Sequence, residues 1–134
     1  MSGFSPNVRL LIRRRAGNGF PEEARCEHDG RWLGEHGGQI QHIVARGMGG
    51  SRSRNGADNG ALICGTSCDG CHGACERRDP VMRDRGFWRF SSDDPAKFPV
   101  RHILYGPVYL LPDGSVSPAG DRDDGPVLLG WGGK

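Results

Sequence analysis

QIQHIV (residues 39–44), DNGALIC (58–64) and CHGACE (71–76) decide how this chain folds. The first follows Gly37-Gly38 and has the β-branched, alternating character of a short strand. The second places an amide, Asn59, at the end of a glycine-, serine- and arginine-rich loop (47–60), before a short apolar piece (61–63) that ends on Cys64. The third reads as a helix over 72–78, which Pro80 stops at or before Asp79. His42 is then on a strand, Asn59 at a loop end and His72 on a helix. Glu76 lies four residues beyond His72, so the two project from one helical face and can share one cation. A metal-bound phosphate beside a neutral imidazole is a phosphodiesterase arrangement: the imidazole takes a proton from water while the metal holds the phosphate.

Working outward, the 134 residues include 23 glycines and nine prolines with 35% hydrophobic residues, which predicts one modest core and much loop. Such a chain needs a staple, and five cysteines offer one. No signal peptide is evident: the opening residues are short and polar, and Arg13, Arg14 and Arg15 follow apolar residues instead of preceding them. An odd cysteine count without an export signal argues for metal ligation over disulfides and predicts a cytoplasmic protein. No apolar run approaches the roughly 20 residues needed to span a bilayer. A net charge of +2 excludes a general polyanion binder. The arginines nonetheless cluster, with Arg9 and 13–15 near the start and Arg46, Arg52, Arg54, Arg77 and Arg78 around the centre, which suits a localised phosphate contact.

QHIVARGMGG, followed by an Asn, an apolar run, a Cys and CHG, resembles the HNH motif of the ββα-metal nucleases, most closely the small versions of tailed phages and prophages of high-GC bacteria. The likeness runs from about Cys26 to Glu76, and the hairpin near 105–116 also looks like the C-terminal part of those proteins. It implies an α+β fold: a small ββα-metal core stapled by a treble-clef-like structural zinc site, with a C-terminal β-hairpin. By resemblance, His42 matches the general base, Asn59 the residue that fixes the loop and orients the base, His72 the metal-binding histidine and Glu76 a second ligand. Gln41 stands where many members have a ligating Asp or His, and a neutral amide attracts a hard cation less than a carboxylate does. The implied cation is Mg2+ or Mn2+, with Ni2+ or Zn2+ as alternatives.

The family often adds a zinc held by two cysteine knuckles, and Cys26, Cys64 and Cys71 fit three of those positions. Where a fourth cysteine is expected stand His28 and Asp29; ligand softness favours His28 slightly, while register favours Asp29. A rival site uses Cys64, Cys68, Cys71 and Cys75 without Cys26. Arg46, Arg52 and Arg54 are candidate DNA contacts, and phosphate contacts alone predict weak sequence selectivity.

The segments expected are a basic N-terminal stretch (1–25) with a helix over 7–15 started by Ser5-Pro6, the nuclease core with its knuckles (26–86), an aromatic patch and hairpin (87–117) and a loosely ordered tail (118–134). Residues 101–111, Pro112-Asp113-Gly114 and 115–116 read as strand, turn, strand. His36 and His102 have no motif around them and are expected on the surface or in hydrogen bonds. Two functions follow: a metal-dependent DNA endonuclease of low sequence specificity, which the phage resemblance links to terminase or portal proteins in DNA packaging, or a non-catalytic zinc-stapled nucleic-acid-binding module.

Overall fold

The structure, a computed structural model, describes residues 4–44, 55–65, 69–93 and 97–119. It is a mixed α/β fold with two small sheets. Helix α1 (Pro6–Ala16) begins where Ser5 caps it, the Ser5 hydroxyl accepting from the Val8 amide at 3.2 Å, with Pro6 in the first turn. Strands β1 (Gln39–His42) and β2 (Gly60–Ile63) pair antiparallel, with Gln41 opposite Ala61 and His42 opposite Gly60. Helix α2 (Gly70–Glu76) follows, and α3 (Pro80–Asp84) starts immediately after it. α2 has ended by Glu76, with Arg78 at φ 58° turning the chain, and Pro80 begins the next helix. Asp79 accepts from the Val81 amide at 2.8 Å, and a proline in the first turn has no amide to leave unpaired.

The β1–β2 hairpin is covered on both faces. Ile40 and Leu62 turn to α1, packing with Phe4, Ile12, Ala16 and Ala57. Ala61, Ile63 and Ile43 turn the other way, to Cys71, Cys75, Met82, Phe87, Trp88 and Val100. Burial on both faces explains why 60–63 reads as a continuous apolar run instead of alternating. The expected aromatic patch divides: Phe87 and Trp88 are core, whereas Phe90 is 46% exposed.

The C-terminal region departs from the single strand expected over 101–111. The chain forms β3 (Val100–His102), a turn, β4 (Gly106–Leu110) and β5 (Val116–Pro118), a three-stranded antiparallel sheet in that order. Gly106 at φ 77° lets the chain reverse between β3 and β4, and a run of Ile, Leu and Tyr hid that turn.

A buried ion network locks α1, the hairpin and this sheet together. Arg15 donates to both carboxylate oxygens of Glu27 at 2.7 and 2.9 Å, and to the Ala57 and Gly60 carbonyls at 2.8 and 2.6 Å. Glu27 also accepts from the Leu62 amide at 2.8 Å and from His102 Nε2. His102 Nδ1 accepts from the Leu104 amide at 3.1 Å, so Nε2 carries the proton it offers to Glu27. Burial pushes the Glu27 carboxyl up, but Arg15 and then His102 outweigh it and bring the pKa down to about 2. No helix among the described residues is long and apolar enough to cross a membrane.

Candidate functional site

Three cysteines and one aspartate converge where the loop after β2, the start of α2 and the tight turn at 26–31 meet. Ligand atoms of Cys26, Asp29, Cys64 and Cys71 all lie within 4.8 Å of one another. Cys26 Sγ is 3.8 Å from Cys71 Sγ, and Asp29 Oδ2 is 3.5 Å from both Cys64 Sγ and Cys71 Sγ. Tetrahedral zinc, with Zn–S about 2.3 Å and Zn–O about 2.0 Å, requires S···S edges of about 3.8 Å and S···O edges of about 3.5 Å. The donor set fits zinc by these edges.

The backbone shapes this centre. Residues 25 and 32 bridge antiparallel, and within that turn the Gly30 amide donates to the Cys26 carbonyl at 2.9 Å while the Asp29 amide points at Cys26 Sγ at 3.5 Å. Gly65 and Gly70 close the loop between the other two cysteines. A Cβ on Gly70, at φ 66°, would sit 2.6 Å from Gly65 Cα, so only glycines permit the approach that returns Cys71 to Cys64. The Cys71 thiol, donating to Cys26, lowers the Cys26 pKa to about 7, and that same bond, more than burial, raises Cys71. A metal taking both as thiolates displaces those protons.

His28 stands outside the four-atom set. Its Nε2 is 2.8 Å from Arg85 Nη1, and its Nδ1 is 3.1 Å from Cys71 Sγ. A guanidinium only donates, so Nε2 accepts and Nδ1 carries the proton toward the sulfur. Burial and then Arg85 lower the His28 pKa, in keeping with a neutral ring. The preference for His28 as the fourth ligand is therefore corrected: Asp29 has the position, and His28 is a hydrogen-bond donor to a ligand. In the rival all-cysteine arrangement, Cys75 is directed elsewhere, its thiol donating to the Phe87 carbonyl at 3.7 Å, and Cys68 lies outside the described residues.

The second cluster lies along β1 and α2. Asn59 is buried, and its side chain clasps Val44: Oδ1 accepts from the Val44 amide at 2.9 Å and Nδ2 donates to the Val44 carbonyl at 3.0 Å. Its own carbonyl accepts from Ile43 at 2.9 Å, so this one residue fixes the chain leaving β1. The His42 ring stacks on Phe4, centroids 4.2 Å apart, and Nε2 contacts Asn55 Oδ1 at 2.9 Å. An amide oxygen accepts, so Nε2 is the protonated nitrogen and Nδ1 the basic one.

Gln41, His42 and Glu76 line one cavity of about 120 Å³ together with Arg78, Trp88 and Arg89. Gln41 Nε2 donates to the His42 carbonyl at 3.1 Å, which leaves its Oε1 as the atom a cation would use. On α2, His72 Nε2 and Glu76 Oε2 are 3.9 Å apart. Two ligands about 2.1 Å from one ion can be at most about 4.2 Å apart, so the pair fits a shared cation. Among the described residues His72 Nδ1 is buried without a hydrogen-bond partner, a polar atom whose exposure to a ligand would relieve a penalty. His72 is not among the residues lining the cavity. Arg46, Arg52 and Arg54 lie outside the described residues.

Sequence reasoning did not single out Arg89. It follows the aromatic pair at 87–88, and only its parallel bridge to Val44 brings it beside the strand. The chain matches no protein-family model, no curated protein and no solved structure.

Proposed function

We propose that this protein is a metal-dependent DNA endonuclease with an HNH-type site, stapled by a structural zinc bound to Cys26, Asp29, Cys64 and Cys71. The observation that carries the nuclease reading is the Asn59 clasp on Val44, two residues beyond His42. A buried amide spent on holding the backbone beside a strand histidine serves to orient that histidine, the role the motif assigns it.

His42 acts as general base through Nδ1, with Asn55 holding Nε2–H and Phe4 fixing the plane of the ring. His72 and Glu76, with the Gln41 amide oxygen, are the residues that would hold a divalent cation; bound there, it supplies positive charge to the phosphate as the P–O bond breaks. The neutral Gln41 makes this a weaker cation site than one with a carboxylate, so activity should require millimolar rather than trace metal. Products would carry 5′-phosphate and 3′-hydroxyl ends, and low sequence selectivity follows from phosphate-directed contacts.

The test is supercoiled plasmid incubated with Mg2+ or Mn2+, with and without chelator. Nicking that chelator abolishes and that His42→Ala reduces by at least about a hundredfold is the expected result. DNA that stays intact under every metal, yet binds the protein, overturns the enzyme reading in favour of a non-catalytic zinc-stapled module. The neutral Gln41 is the observation that keeps this second reading in view.

A further inference from the structure

We propose that Arg78 and Arg89 form the phosphate grip of the cleft lined by Gln41, His42 and Glu76, and that its ligand is the phosphodiester backbone of duplex DNA. This rests on the proposed nuclease function only for what happens after binding; the grip itself is argued from the arginines.

Arg89 is half-buried, yet its guanidinium makes no hydrogen bond among the described residues; only its backbone amide is engaged, donating to Ile43 at 2.9 Å. The carboxylates of Asp93 and Asp58 lie near enough to act on its charge, but neither accepts a hydrogen bond from it, so its N–H donors remain available to an oxyanion that enters the cleft. The residue faces the cleft from the segment that follows Phe87 and Trp88, and the parallel bridge to Val44 sets it beside the strand that bears His42.

Arg78 approaches from the other side, off the end of α2. It sits at φ 58°, the left-handed position that closes a helix and normally belongs to glycine or asparagine. An arginine held there costs about 1 kcal/mol, and such strain collects at sites where the side chain is needed. Its guanidinium carbon lies 5.3 Å from the ring centroids of both Trp88 and Phe90, and its N–H groups make no hydrogen bond among the described residues. Two aromatic contacts hold the cation in place without consuming a donor, which suits recognition of a phosphate.

Arg83 is the internal contrast. It packs against the same rings and against Phe98, but both oxygens of Asp93 accept from it at 2.7 and 2.8 Å, so its charge is spent. Glu76 shares the cleft and opposes an anion, but its side chain is 51% exposed and can swing into water. A single mononucleotide-sized phosphate would also satisfy two arginines. A polymer is favoured because Phe90, exposed and 5.3 Å from the Arg78 guanidinium, leaves that side of the grip open to solvent, where a backbone can run on.

The experiment uses zinc-loaded protein and a short fluorescein-labelled DNA duplex without added Mg2+, so that binding is read apart from cutting. Arg89→Gln and Arg78→Gln should each weaken binding about tenfold and each lower the slope of log affinity against log salt by about one. Arg89→Lys should keep the salt slope. Arg101→Gln, which removes an exposed arginine on β3 outside the arginine clusters, should bind as wild type. Because Arg89 is half-buried, melting curves accompany each variant, and the exposed Arg78 carries the test if Arg89→Gln does not fold. Unchanged affinity and salt slope in the folded Arg78 and Arg89 variants, or an equal loss in Arg101→Gln, overturns the grip. Inorganic phosphate competing as well as DNA at equal phosphate concentration also overturns the polymer assignment. The two proposals fail separately: nicking activity with unaltered KM in both variants sinks the grip alone, whereas arginine-dependent binding without nicking sinks the nuclease alone.

Discussion

The proton on His28 is the reason to assign the fourth place in the candidate metal set to Asp29. Arg85 takes the only lone pair His28 could offer from Nε2, and Nδ1 then donates to Cys71. Asp29→Ala should therefore abolish stoichiometric zinc, whereas His28→Ala should retain zinc with about 10- to 100-fold weaker affinity, the usual effect of losing a partner that orients a ligand. Competition against a chromogenic chelator measures both, and equal loss in the two variants would contradict the assignment. From sequence, softness pointed to histidine, because ligand preference is visible in residue types while the partner of the other ring nitrogen is not. Asn59 was singled out by its motif position, whereas its clasp on Val44, 15 residues away, is visible only in the fold.

At the scale of elements, α1, β1 and α2 were readable from caps, periodicity and breakers, whereas β2 read only as a short apolar piece. The helix that begins at Pro80 was not readable, since a proline that looks like a stop also starts a helix well. The turn inside 101–111 was hidden because the residues that make it are apolar. Cys64 and Cys71, seven positions apart in the chain, come together because Gly65 and Gly70 meet backbone to backbone. An ion held there would join three separate pieces of chain, so purified protein should hold about one zinc per chain whose removal by chelator lowers the thermal midpoint. Cys26→Ser should lose that zinc and Cys75→Ser should keep it, as measured by elemental analysis after gel filtration. Retention in Cys26→Ser would restore the rival all-cysteine arrangement.

For the whole molecule, the decisive group is Glu27, which no motif marked. Its partners, Arg15 and His102, lie 12 and 75 residues away, and nothing local announces so distant a pairing. Its carboxyl has a pKa of about 2 in the fold against an ordinary 4.5, so it stabilises the native state fully above about pH 4.5. That contribution, about 3 kcal/mol, is lost as pH falls through the window toward 2. Acid also strips zinc, so the measurement is the difference between wild type and Glu27→Gln in urea unfolding across this window. Glu27→Gln should cost about 3–5 kcal/mol at neutral pH, leaving Arg15 buried without its counter-charge, and its deficit should shrink as the pH falls. A deficit constant with pH would exclude the ion pair as its source.

That network bears on modularity. The three-stranded sheet looks, in sequence, like an appendage that could be trimmed from a minimal catalytic unit. Yet its first strand delivers His102 into the centre of the molecule, and Tyr105 donates to the Arg15 carbonyl at 2.9 Å from the turn beyond. A chain cut before β3 would open a water-accessible hole beside a buried carboxylate and release the end of α1. The part carrying the candidate chemistry is therefore not a portable cassette: grafting it into another protein means transplanting the C-terminal sheet along with it.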